Sequence, residues 1–191
     1  MNLVLASTSV YRKELLNRLG LPFTTATPDI DESRNPGESP EQLVSRLAEA
    51  KARATASQLS DAHIIGSDQV AVYGDQILGK PGNFERAFTQ LKLVSGKRLQ
   101  FLTGLCLLNS RTGIAQVEVV PFSVIFKQLS NEQIENYLHR EEPYHCAGSF
   151  KSEGLGIALC EAFEGDDPTA LIGLPLIRLT RLLEKQGVTI I

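Results

Sequence analysis

The chain has 191 residues, of which 42% are hydrophobic and 21% charged. This length favours one domain, and the composition is typical of a globular protein rather than a disordered one. There are 19 lysines and arginines against 22 aspartates and glutamates, a formal net charge of -3, which argues against a surface that binds nucleic acid or an anionic membrane throughout. A polyanionic ligand would therefore need a local cluster of basic side chains.

The cysteines and the apolar runs exclude further classes of protein. Cys106, Cys146 and Cys160 are odd in number and form no CxxC pair, which argues against a disulfide framework or a zinc ribbon. No basic region precedes the short apolar stretch at residues 3–6, and no run approaches the ~18 apolar residues of a membrane span. We therefore expect a cytoplasmic protein that binds neither a membrane nor a nucleic-acid polymer.

Strand-like and helix-like patterns alternate along the chain without a repeat or a linker. In chain order the predicted elements are a strand at 3–6, a helix ending at Gly20, a strand at 23–27, a helix beginning at Pro40, a strand at 63–66, short strands at 70–73 and 76–78, a helix at 84–93, long strands at 98–108 and 114–126, a helix from Ser130 to about 139, and a helix beginning at Pro175. Ser39 with Gln42, and Ser130 with Gln133, form capping boxes that mark two helix starts. The alternation predicts a single α/β domain over 1–191, with a mixed β-sheet flanked by helices.

Four polar groups stand at the ends of apolar segments, where α/β proteins bind their ligands. They are the turn 7–9 with Arg12 in the helix that follows, the group 67–69 with Asp68 directly after a predicted strand, Lys80 in a stiff turn before a proline, and the segment 148–154. Each alone is compatible with a helix cap, a surface turn or a solvated charge, but four in one chain favour a ligand site. Free N–H groups at the start of the first helix, with Ser7 and Arg12, would bind an anion. Neither a P-loop nor a Rossmann glycine pattern occurs, and the three histidines lack zinc-ligand spacing.

Five motifs occur in order along the chain: LASTSVYRKELL at 5–16, DIDE at 29–32, Lys51 in a helical segment, SDQ at 67–69 and GKP at 79–81. Together they resemble the Maf family of nucleoside triphosphate pyrophosphatases, from Leu3 to about Leu183. The resemblance implies an inosine-triphosphatase-like (Maf-like) fold. It also implies hydrolysis of a nucleoside triphosphate to the monophosphate and diphosphate, with a divalent cation, Mg²⁺ or Mn²⁺, as cofactor.

The resemblance assigns roles to individual residues. It implies that Asp68 is the catalytic proton acceptor and that Tyr11, Gln69 and Glu153 select the base. A triphosphate is a concentrated polyanion, and the candidates to bind its phosphates are Ser7, Arg12, Lys51, Lys80 and Lys151. Asp68 and Glu32 are the carboxylates expected to hold the metal ion. Whether Asp68 acts as general base, as metal ligand or as both stays open at this point.

Two motifs, SDQV at 67–70 and AGSFKSEG at 147–154, are similar to the family branch that hydrolyses 7-methyl-GTP. Two departures occur: Val10 replaces the family's usual proline, and Tyr11 stands where this branch often carries tryptophan. The alternatives are a dTTP or UTP pyrophosphatase of the same family and a nucleotide-binding regulator of cell division without turnover. For Lys51 the alternative is an ordinary solvated helix residue. The resemblance further implies a small-molecule nucleotide as partner and a homodimer.

Overall fold

The computed structural model describes residues 2–57 and 59–191. Its strands are β1 (Asn2–Ala6), β2 (Thr24–Ala26), β3 (Ala62–Tyr73), β4 (Gln76–Leu78), β5 (Arg98–Asn109), β6 (Ala115–Phe126) and β7 (Cys160–Glu164). Its α-helices are α1 (Val10–Asn17), α2 (Pro40–Ala56), α3 (Phe84–Val94), α4 (Asn131–Glu141) and α5 (Leu176–Lys185), and short 3-10 helices lie at Ala147–Ser149, Leu155–Leu159 and Pro168–Ala170. In this part of the chain, no helix is both long and apolar enough to cross a membrane.

The strands form a seven-stranded sheet in the order β2-β1-β3-β5-β6-β7, with β4 paired to β3. β1 runs parallel to β2 and β3, whereas the other strand pairs are antiparallel. Side chains alternate between the two faces of the sheet. Leu5 and Ile65 pack with α1 and α5 on one face, while Val4 and Ile64 pack with α2 on the other. The predicted mixed sheet flanked by helices is confirmed.

The polar group 67–69 does not end a strand, and this part of the prediction is wrong. β3 continues as one strand over Ala62–Tyr73, with Asp68 near its middle. The antiparallel ladder to β5 runs along almost the whole strand and keeps the polar group extended. On the other edge, pairing with β1 ends at Ile65 and pairing with β4 begins at Ala71. Asp68 lies between these two limits, on the stretch of β3 that borders the cleft described below.

Two glycines let helix α2 approach the sheet closely. A Cβ atom added at Gly66 of β3 would lie 2.0 Å from the Ala48 carbonyl oxygen, and one added at Gly104 of β5 would lie 2.1 Å from that of Val44. Both carbonyls belong to α2, so any larger residue at these positions would push the helix outward. This close packing brings Lys51 of α2 against the middle of β3.

Replacing Gly66 with alanine is expected to lower the free energy of unfolding by about 1–3 kcal/mol, because the helix backbone must move to admit the methyl group. A urea unfolding curve measures the change. Gly79→Ala is the matched control, since nothing lies within 4 Å of a Cβ added at Gly79. If the Gly66→Ala protein unfolds at the wild-type midpoint, α2 shifts without cost and the close-packing argument is wrong.

Candidate active site

A cleft of about 680 Å³ lies at the carboxyl end of β1. Its wall combines the turn into α1, the middle of β3, the turn after β4, and parts of the segments 145–153 and 171–172. Nine of the ten predicted site residues line it: Ser7, Tyr11, Arg12, Glu32, Lys51, Asp68, Gln69, Lys80 and Glu153. The exception is Lys151. The fold thus brings together motifs that are spread over most of the sequence.

Lys51 joins two carboxylates in this cleft. Its Nζ atom lies 2.7 Å from Asp68 Oδ1 and 2.7 Å from Glu32 Oε1. Lys51 is 6% exposed and Asp68 9%, so both charges are removed from bulk water, whereas Glu32 sits in the exposed loop before α2. The hydrogen bond from Lys51 lowers the pKa of Glu32, against the opposing effect of burial. Burial of this kind excludes the alternative in which Lys51 is a solvated helix residue.

Arg12 is held rigidly at the start of α1. Its Nε donates to the Gly173 carbonyl oxygen at 2.8 Å, and its Nη1 lies 3.5 Å from Ser7 Oγ. Burial lowers the pKa of Arg12, while the charges of Asp68 and Glu32 oppose that shift, and a guanidinium remains protonated at any physiological pH. A fixed cation beside a hydroxyl and a helix N-terminus has the chemistry of the predicted anion site.

The side-chain amide of Gln69 has a defined orientation. Its Nε2 lies 3.0 Å from Thr103 Oγ1, 2.7 Å from the Ala170 carbonyl oxygen and 3.1 Å from that of Leu171. These three atoms can accept from an N–H group, so the nitrogen must face them. The opposite atom of the amide, Oε1, is then left to accept a hydrogen bond from a ligand. Gln69 therefore offers the cleft an acceptor rather than a donor.

Tyr11 and Glu153 also line the cleft, and Lys151 lies near the Tyr11 ring. The Lys151 Nζ is 2.6 Å from Glu141 Oε1 and 5.9 Å from the centroid of the Tyr11 ring. Burial raises the pKa of Tyr11, which keeps its hydroxyl neutral. The structure thus places Lys151 in an ion pair outside the cleft wall rather than among the other cations, and its predicted contact with phosphate stays a prediction.

Three polar residues that support the site were not singled out from the sequence. Thr103 is buried and holds Gln69, Glu141 holds Lys151, and Asp167 holds the turn that carries Gly173. Asp167 is fully buried and accepts from Thr169 and from the backbone N–H groups of the first residues of α5. Asp167 stands before a proline, which is a helix-capping pattern, and Thr103 interrupts an apolar run. Both residues could therefore have been singled out from the sequence. Glu141 looked like any charge at a helix end.

Cys146 also lines the cleft, where its thiol is a candidate nucleophile. Burial raises its pKa to about 11, so the group is a neutral thiol at pH 7. His145 lines the same region and is exposed. Neither residue offers an activated nucleophile, and the chemistry of the cleft fits attack by water instead.

The predicted metal ligands are the carboxylates of Asp68 and Glu32, which both contact Lys51. Over residues 2–57 and 59–191, no cluster of three or more His, Cys, Asp or Glu side chains is arranged to hold a metal ion by itself. Asp68 and Glu32 are nevertheless brought together by their shared contact with Lys51. Mg²⁺ in nucleotide enzymes is commonly held by one or two carboxylates together with substrate phosphates. The hard oxygen donors present fit that pattern, with the nucleotide supplying the remaining ligands.

Known proteins resemble this chain over nearly its whole length. The chain is similar to a protein named 7-methyl-GTP pyrophosphatase from Nitrosococcus oceani, with 62% identity over 97% of this chain and 93% of the relative. A protein of the same name from Pseudomonas fluorescens is 60% identical over 97% of each chain. Among solved structures, the Ham1 protein of Staphylococcus aureus has a TM-score of 0.46 at 16% identity, covering 67% of this chain and 73% of that one. The family described as Maf-like protein matches residues 2–186, and the chain therefore belongs to the Maf family.

Proposed function

We propose that this chain is a nucleoside triphosphate pyrophosphatase that hydrolyses 7-methyl-GTP to 7-methyl-GMP and diphosphate. Relatives that carry the name 7-methyl-GTP pyrophosphatase, at 57–62% identity over nearly the whole chain, support the proposal. The observation that carries it is that one cleft is lined by cations, Arg12, Lys51 and Lys80, and also by acceptors and an aromatic ring, Gln69, Glu153 and Tyr11. Arg12, Lys51 and Lys80 all line this cleft, and their positive charges lower the pKa of Glu32.

The acceptor groups favour a guanine base. Gln69 presents Oε1 and Glu153 presents a carboxylate, so both can accept from the N1–H and the exocyclic amine of guanine. Thymine and uracil offer one N–H flanked by two carbonyl oxygens, which would face these acceptors without a hydrogen bond. Methylation at N7 adds a positive charge to guanine. The Tyr11 ring and the Glu153 carboxylate would both attract that charge.

The reaction follows from the arrangement around Asp68. Lys51 holds Asp68 Oδ1, which leaves Oδ2 to accept a proton from a water molecule. The water oxygen attacks the α-phosphorus, the bond between that phosphorus and the bridging oxygen breaks, and diphosphate leaves with the electron pair. Arg12, Lys51 and Lys80 orient the phosphates and stabilise the charge that develops on them. A divalent cation held by Asp68, Glu32 and the phosphates would neutralise further charge.

Other expectations go with this proposal. The substrate belongs to the nucleotide pool of the cytoplasm, so the proposal places the protein there. The partner in the reaction is a small molecule, and neither a nucleic-acid polymer nor a membrane takes part. A homodimer stays a prediction of the family resemblance.

The test is the release of diphosphate from 7-methyl-GTP, GTP, dTTP and UTP with Mg²⁺. Wild type is expected to have its highest kcat/KM with 7-methyl-GTP. Glu153→Lys should lower that value by about 10²-fold, because a like charge then faces the cationic base. Tyr11→Trp should keep most of it, because an aromatic face remains. A wild-type preference for dTTP or UTP, or an unchanged ranking in Glu153→Lys, would contradict the assignment of the base pocket.

A further inference from the structure

Glu141, the last residue of α4, has no part in the reaction proposed above, yet its partly buried carboxylate is fully engaged in hydrogen bonds. Its side chain is 12% exposed. It accepts from Lys151 Nζ at 2.6 Å and from the backbone N–H of Leu155 at 2.6 Å. These two contacts fall on either side of Glu153 in the sequence. A single carboxylate thus holds the segment that carries Glu153, which is predicted to select the base.

The neighbouring residues are adapted to this contact. A Cβ atom added at Gly154 would lie 2.5 Å from Glu141 Oε2 and 2.7 Å from Oε1, so only glycine lets the carboxylate come so near. Tyr137, also on α4, accepts from the Lys151 backbone N–H at 3.1 Å and donates to the Ser149 carbonyl oxygen at 3.3 Å. The segment from 149 to 155 is therefore attached to α4 by both backbone and side-chain bonds.

Glu141 also neutralises the ammonium charge of Lys151 near the Tyr11 ring. Lys151 Nζ lies 5.9 Å from the centroid of the Tyr11 ring, the face proposed for a cationic base. An unpaired ammonium there would repel a cationic base that stacks on the Tyr11 ring, because the environment is partly buried. Burial acts to raise the pKa of Glu141, but the bonds from Lys151 and Leu155 leave it lowered, so the group is a carboxylate at neutral pH. The ion pair cancels most of the ammonium charge that the base would otherwise meet.

We infer that Glu141 is a positioning residue for base selection, which holds the segment of Glu153 and neutralises Lys151 beside Tyr11 so that a cationic base is accepted. This inference rests on the proposed function. It assigns Lys151 to the surroundings of the base, whereas the sequence analysis made Lys151 a candidate to bind the phosphates. Its signature is a change in the discrimination between methylated and unmethylated guanine rather than a uniform loss of activity.

The experiment compares charge variants by two ratios. One is kcat/KM for 7-methyl-GTP over GTP, and the other is the affinity for 7-methyl-GMP over GMP by calorimetry. Glu141→Gln keeps an acceptor for Leu155 but loses the charge, and should lower both ratios by about tenfold. Lys151→Met removes the ammonium and should leave the ratios at or above the wild-type value, without an equal loss of kcat/KM for both triphosphates. The double variant should return within about twofold of wild type, because both charges are gone.

The control and the contrary outcomes are distinct. Glu49→Gln breaks an exposed ion pair with Arg53 on α2, away from the cleft, and should change neither ratio. Unchanged ratios in Glu141→Gln, or an equal fall in both single variants, would overturn the charge argument. An equal loss of kcat/KM for both triphosphates in Lys151→Met would indicate that Lys151 binds the phosphates, and this result would also overturn the inference. If Glu141→Gln does not fold, the kcat/KM values of Lys151→Met for the two triphosphates decide whether the inference stands.

Failure of the proposed function has a different signature. A wild-type protein that releases no diphosphate, or that prefers GTP to 7-methyl-GTP, would overturn the proposed function. The affinities for 7-methyl-GMP and GMP can still be compared in that case. Glu141→Gln must then still lower the ratio of the two affinities relative to wild type, and a constant ratio would overturn the present inference.

Discussion

Replacing Asp68 with asparagine is expected to lower kcat by about 10²–10⁴-fold while the fold survives. Asparagine has nearly the same size and its carbonyl oxygen can still accept from Lys51, which remains paired with Glu32. It cannot take a proton from water, and it is a weaker ligand for a divalent cation. The measurement is diphosphate release at saturating nucleotide, with circular dichroism and thermal unfolding to verify the fold.

The matched control is Asp61→Asn, which breaks an exposed ion pair with Arg111 and should leave kcat unchanged. Near wild-type turnover in Asp68→Asn would mean that the role given to Asp68 is wrong. Titration with Mg²⁺ separates its two possible contributions. A loss of kcat that excess Mg²⁺ does not restore indicates proton transfer, whereas a loss that it restores indicates metal binding.

Replacing Lys51 with methionine should lower kcat/KM by about 10²–10³-fold for every nucleotide. Methionine fills a similar volume but leaves two carboxylates, on Asp68 and Glu32, without the cation that both now contact at 2.7 Å. Those carboxylates would repel each other and the incoming phosphates. Because phosphates carry no information about the base, the factor should be similar for 7-methyl-GTP, GTP, dTTP and UTP.

Arg53→Met is the control for this variant, since Arg53 lies on the same helix with an exposed side chain and a partner, Glu49, outside the cleft. Unchanged kinetics in a folded Lys51→Met protein would contradict the phosphate role. A loss confined to one base would place Lys51 in the base pocket instead. Thermal unfolding must accompany the kinetics, because removing one member of a buried ion pair can cost about 3–5 kcal/mol of stability.

The positions of the helices could be predicted because their signals are local. Both capping boxes, Ser39 with Gln42 and Ser130 with Gln133, are present as expected, and the helices begin at Pro40 and Asn131. A capping box depends on only four consecutive residues, so it can be recognised without knowledge of the tertiary structure. The resemblance to the Maf family, likewise carried by short motifs in order, is confirmed by the family match over residues 2–186.

The strands were harder to predict where their partners decide them. The end predicted for the strand at Gly66 is wrong because β5, more than 30 residues later in the chain, holds residues 67–69 extended. β7 was not predicted at all, since four of its five residues are exposed and show no buried alternation. It exists because β6 offers it an antiparallel edge. Pairing over long distances leaves little trace in a local pattern.

The sequence alone determined which residue types meet in the cleft. Its motifs are separated along the chain, but each places polar side chains beside an apolar segment, where α/β proteins bind their ligands. Only the tertiary structure decided how those residues are paired. Lys51 is buried on Asp68 because Gly66 and Gly104 let α2 lie close to the sheet. Lys151 is paired with Glu141 on α4, near the Tyr11 ring, rather than with the carboxylates that contact Lys51. Burial and the choice among several possible charge partners depend on how the elements pack, and a motif does not contain that information.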